Sequence, residues 1–124
     1  MRLESLAALI RVDANEILRE GWRCPSAADQ FDRAVESLKC NVYEARGQVT
    51  PGKKIYHYGI ARGSADEARG CISSLAAAKA VSDKAAYKMV GLLIAAAKMI
   101  TSLSEVIARG PAPAPAQRAR SEAP

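Results

Sequence analysis

The side chains able to do chemistry are few and widely spaced. His57 is the single imidazole, flanked by Tyr56 and Tyr58, and the thiols are Cys24, Cys40 and Cys71. A structural zinc site needs four Cys or His ligands, usually with two of them closely paired. An odd, scattered cysteine set with no CxxC pair and one histidine cannot supply it. A nucleophile and base would have to be assembled from His57 and a serine or Cys71, and no spacing demands that pairing. The carboxylates include no Glu-x-x-His pair of the kind a di-iron bundle carries on two of its helices. These residues predict no enzyme, no metal and no cofactor.

One stretch imitates a nucleotide site. Residues 47–53, Gly-Gln-Val-Thr-Pro-Gly-Lys, fit the GxxxxGK part of a phosphate-binding loop. The hydroxyl residue that would hold Mg²⁺ is replaced by Lys54, and a helical pattern rather than a strand precedes the first glycine. The motif carries meaning only between a strand and a helix, so the stretch reads as a helix–helix turn.

A polar constellation is more informative. Ser37, Asn41 and Glu44 are spaced four and three residues apart and share one helix face beside Leu38 and Val42; Ser64 and Glu67 share a face further on. Polar groups at the edge of a core are costly unless paired. They predict a hydrogen-bonded network that sets helix register, not a ligand site.

The elements that must position these groups are helices. Alanine is abundant, aromatics are 5% and hydrophobic residues 49% of the 124 residues, enough for one core. Helix one runs from about Leu3 to Glu20, with Leu6, Leu9, Ile10, Ala14, Ile17 and Leu18 at helical spacing before Gly21. Helix two follows Pro25, with Ser26 as its cap, and carries Phe31, Val35, Leu38, Val42 and Ala45 as a bundle seam that ends at Gly47. Thr50-Pro51 starts helix three, whose buried stripe is Ile60, Ala61, Ala65, Ala68, Ile72 and Leu75. Ser82 or Asp83 starts helix four, with Tyr87, Val90, Leu93, Ile94, Ala97, Ile100, Leu103 and Ile107 on its apolar face. The predicted fold is an all-α, antiparallel up-and-down four-helix bundle over residues 1–109. Residues 110–124, alternating Pro and Ala before turning polar, predict a disordered tail.

The charge is uneven. Residues 1–52 carry seven basic and eight acidic groups, net −1, whereas residues 53–109 carry nine and four, net +5. The excess lies on helices three and four. Lys84, Lys88 and Lys98 fall on one strip of helix four with Gly91 and Ala95 between them, and Lys53, Lys54, Arg62 and Arg69 line helix three. These seven cations are the candidate nucleic-acid contacts. The longest weakly polar run, Val90–Ala97, is far short of a membrane span, and no signal peptide is visible. With unpaired thiols, this predicts a cytoplasmic protein that does not engage a membrane.

The same residues carry a family resemblance. Gln30 to Gly47 resembles the Q-x-x-R-A-x-x-S-I-x-x-N-I-x-E-G signature of a four-helix-bundle family, and Gly59 to Glu67 resembles its I-A-x-G-S-x-x-E segment. That family includes proteins encoded in intervening sequences of 23S ribosomal RNA genes and the accessory variability proteins of diversity-generating retroelements. Leu38 and Val42 stand for the usual Ile, Lys39 for a frequent Pro, and Ala45 for Gly. The resemblance implies a homopentamer; in the retroelement branch it implies a basic surface that engages nucleic acid and a reverse transcriptase. The ribosomal branch implies a scaffold with protein partners only. The apolar and alanine surplus, wider than one seam per helix, independently predicts self-association.

Overall fold

The computed structural model describes residues 1–111, so the predicted tail lies outside the described residues apart from Gly110 and Pro111. Four helices, α1 (Leu3–Gly21), α2 (Pro25–Gly47), α3 (Pro51–Ala77) and α4 (Asp83–Arg109), follow one another through short connections. The chain is an all-α four-helix bundle. Each helix packs on its sequence neighbour, and α1 closes the ring against α4. Connections this short force successive helices antiparallel.

Local chemistry explains most boundaries. Thr50 caps α3, its hydroxyl accepting from the Lys53 amide at 3.3 Å, with Pro51 at the first helical position. Ser82 caps α4 in the same way, accepting from the Ala85 amide at 3.1 Å, and Asp83 adds a carboxylate to the positive first turn. The start of α2 departs from expectation. Pro25 is itself at the helix start, so the cap position falls on Cys24, which makes no side-chain cap bond, and Ser26 lies inside the first turn, exposed. Proline's fixed φ selects that first helical position and overrides the hydroxyl one residue later. At its far end α4 stops on Gly110, whose φ of 73° a side chain would strain.

The core is built from the predicted seam of α2, where Phe31, Val35, Leu38, Val42 and Ala45 are all fully buried. They meet Ile10 and Ala14 of α1, Ala61, Ala65, Ala68, Ile72 and Leu75 of α3, and Met89, Leu93 and Ile100 of α4. The small side chains of α3 allow close approach, and α2–α3 is the most extensive seam. Seven expected core positions fall outside the buried core, Leu9, Val90, Ile94 and Ile107 among them as partly buried residues. Tyr87 is 85% exposed, and Ile60 and Leu103 are at the surface. The buried face of α4 centres on Ala86, Met89, Leu93, Ala96 and Ile100, about one residue round from the expected stripe, because the helix is apolar over a wider arc than the bundle can cover. Taken as a whole helix rather than as its uninterrupted run, α4 is long and apolar enough to cross a membrane by length and composition. An 18-residue window reaches a mean hydropathy of 1.7, and only 22% of it is buried.

Candidate nucleic-acid interface and the polar network beside it

The α2–α3 seam carries the polar network. The Ser64 hydroxyl donates to Ser37 Oγ at 2.7 Å across the two helices. Asn41 Nδ2 donates to the Ser37 carbonyl at 2.9 Å and reaches its hydroxyl at 3.3 Å. Asn41 Oδ1 faces His57 Nδ1 at 3.1 Å, which makes that ring nitrogen the protonated one in this pair. Three of the five expected members, Ser37, Asn41 and Ser64, are thus joined. Glu44 and Glu67 are not. Glu44 is exposed and accepts from Gln48 at 3.0 Å within its own chain segment, and Glu67 is exposed on the outer side of α3. Sixty degrees of helix rotation from Ser64 to Glu67 is enough to carry a side chain from the seam edge to solvent.

His57 is the member sequence reasoning missed. The signal was present: His57, Ser64 and Cys71 are seven residues apart, nearly two turns, so they share the edge of α3 that faces α2. Cys71, buried, lies 3.9 Å from Gln30 of α2 on the same edge. Burial, and then the Glu67 charge, push the Cys71 thiol up. The imidazole bonds the Asn41 amide rather than a hydroxyl, and the two hydroxyls bond each other.

A second cluster escaped notice in the sequence. Arg11 of α1 donates to Asp32 Oδ1 at 2.7 Å, to Glu36 Oε2 at 3.1 Å, to the Asp32 carbonyl at 3.3 Å and to Asn15 at 3.1 Å. Its side chain is 13% exposed, so this is a helix–helix clamp rather than a loose surface pair.

The seven candidate cations divide. Lys54 is not free for a partner: its ammonium donates to the Ala45 and Arg46 carbonyls at 3.3 and 3.0 Å, closing the C-terminus of α2. Lys88 pairs with Asp13 of α1 at 3.1 Å, and Arg69 lies 3.8 Å from Asp66. Arg62 donates to the Thr101 hydroxyl, which binds α3 to α4. Lys53, Lys84 and Lys98 are exposed and have no carboxylate within ion-pair distance among the described residues. Lys84 and Lys98 are fourteen residues apart on one strip of α4, about 21 Å along its axis. The surface between them is Gly91 and Ala95, both exposed, with Tyr87 alongside. Among the described residues, no group of three His, Cys, Asp or Glu side chains is placed to hold a metal ion.

Comparison of the chain with models of protein families, with curated proteins and with solved structures finds no match.

Proposed function

We propose that the chain is a non-enzymatic, basic, self-associating binding module that engages nucleic acid through the outer face of α4 and the adjoining side of α3. The observation that carries this reading is the strip holding Lys84 and Lys98, exposed and unneutralised by any described carboxylate, separated by small side chains that let a backbone approach. Lysines so placed bind phosphates and release counterions, the main source of sequence-independent affinity. Aromatic surface near them is limited to Tyr87, so base stacking adds little and sequence preference is low. Specificity then comes from a protein partner, and the resemblance to retroelement accessory variability proteins suggests a reverse transcriptase. A scaffold of the 23S intervening-sequence type, with protein partners only, is the second reading, and the wide apolar arc of α4 favours it equally.

Fluorescence anisotropy with labelled RNA and DNA across a salt series separates the two. Lys84→Gln with Lys98→Gln should weaken binding and lower the slope of log affinity against log salt by about 1.8 for each protomer engaged on duplex DNA. Lys88→Gln alone should change little, because Lys88 is already paired with Asp13. Absence of binding at low salt, or binding indifferent to the double substitution, would leave the scaffold.

A further inference from the structure

A cleft of about 490 Å³ opens at the end of the bundle where α1 begins and α4 ends. That volume falls within the range of small-molecule sites. Its apolar wall is Leu3, Met99 and Leu103. Its polar wall contains two arginines, one carboxylate and a phenol. Arg46 lies 3.6 Å from Glu4, whose side chain is only 16% exposed, so those two charges offset each other. Arg2 also lines the cleft and has no ion-pair partner among the described residues, which leaves one net positive charge.

Backbone dipoles add to it. Arg2 is the N-cap of α1 and makes no side-chain cap bond, and the first amide held by the helix is that of Leu6, on the Arg2 carbonyl at 3.0 Å. The amides of Leu3, Glu4 and Ser5 therefore have no acceptor within the helix. Independently of that helix end, Tyr58 of α3 lines the cleft and is 5% exposed, yet its hydroxyl makes no hydrogen bond among the described residues. Every fully buried polar side-chain atom there has a partner, so this hydroxyl is not sealed into the core and must face the cleft. With accessible surface and no partner in the protein, the hydroxyl is free to donate to a bound acceptor. Burial, and then the neighbouring Glu4 charge, push its ionisation up, so at neutral pH it is a donor.

We propose that the cleft binds a small amphipathic monoanion, a medium-chain alkyl carboxylate, with its chain on Leu3, Met99 and Leu103 and its carboxylate on Arg2, the first amides of α1 and the Tyr58 hydroxyl. One net positive charge matches a monoanion, and Glu4 in the wall opposes the second charge of a phosphate monoester. The cleft adjoins the Lys98 end of α4 through Met99 and Ser102, but none of its proposed carboxylate contacts is a residue of the Lys84–Lys98 strip.

Calorimetric titration of the full chain with decanoate, below its micelle concentration, tests the site. Saturable one-to-one binding is expected, with decanol binding at least tenfold more weakly. Tyr58→Phe should weaken decanoate about three- to tenfold, the worth of one hydrogen bond, and Arg2→Gln by a similar factor. The three methionines provide a readout that needs no variant. With methyl-labelled protein, decanoate should shift the Met99 resonance and leave the core residue Met89 unmoved. No saturable heat, equal binding of decanol, an unshifted Met99, or decanoate affinity unchanged in both variants would each overturn the proposal.

Discussion

Asn41 makes more hydrogen bonds than any other side chain of the α2–α3 seam, two to Ser37 and one to His57. Asn41→Ala should cost about 0.5–1.5 kcal/mol, because it removes the partner of His57 at a partly buried edge while the Ser37–Ser64 pair stays joined. Glu44→Ala and Glu67→Ala should each stay within about 0.5 kcal/mol, since both side chains are in solvent. Thermal melts of the three variants check the contrast; equal losses would return the glutamates to the network. At Glu36 the measurable quantity is pH. Burial alone would raise this carboxyl, but the Cys40 thiol, Arg11 and Lys39 together hold it below its ordinary 4.5. A carboxyl lowered in the folded state contributes stability above its unfolded value and loses it as pH falls through the folded one. Glu36→Gln should therefore be less stable than the parent above the ordinary carboxyl range and converge with it as pH falls below that range, as read from urea midpoints. A constant gap across that range would show that the ion pair to Arg11 does not set the acid limb.

At the scale of elements, the turn between α3 and α4 holds an uncorrected strain. Lys79 has a φ of 60°, the one non-glycine residue with positive φ among those described. Its amide donates to Ala76 at 3.0 Å and that of Ala80 to Leu75 at 2.9 Å, the paired bonds of a Schellman stop. Ala80 and Leu75, both buried, supply the apolar contact that usually accompanies it. Glycine is the residue this position favours, so Lys79→Gly should stabilise by about 1 kcal/mol and raise Tm by about 4 °C. A lower Tm would mean that the lysine stem contributes packing that outweighs the backbone relief. This turn also shows what the sequence concealed. Where a stop or start was written in side-chain chemistry, as at Thr50, Ser82 and Gly110, the boundary was legible. At Lys79 the long-range burial of Ala80 and Leu75 enforces the turn, and no local residue announces it. The same division holds for the site. Ser37, Asn41 and Ser64 were legible from spacing, but which α3 residue completes the set depends on how α3 rotates against α2, and that is decided by the alanine stripe. The cations that close Ala45 and Asp13 were equally hidden, because their partners lie on other helices.

For the whole molecule, the decisive quantity is apolar surface left over. Only 22% of the most apolar window of α4 is buried in the single chain, and Tyr87 and Val106 stand exposed on that helix. Patches of this kind mark association surfaces. The chain should therefore be a homo-oligomer in solution, and multi-angle light scattering at micromolar concentration should return several times the 13.2 kDa of one chain. The pentamer implied by the resemblance is one value it could take. A monomer would remove self-association and with it the field that a ring of lysine strips would create.

The ring of helices also has an order of loosening. Three of its seams join helices consecutive in the chain, whereas the fourth, α1 on α4, joins its two ends and is the slightest of the four. Sub-global opening begins where contacts are fewest, and α1 has the least packing of any helix here. Releasing it breaks the Arg11 clamp and the Asp13–Lys88 pair in one step. It leaves α2–α3 intact around Asn41 and frees Lys88 to join Lys84 and Lys98. Any release of α1 would therefore also free the charge of Lys88 on the α4 strip, through the Asp13–Lys88 pair that joins the two helices.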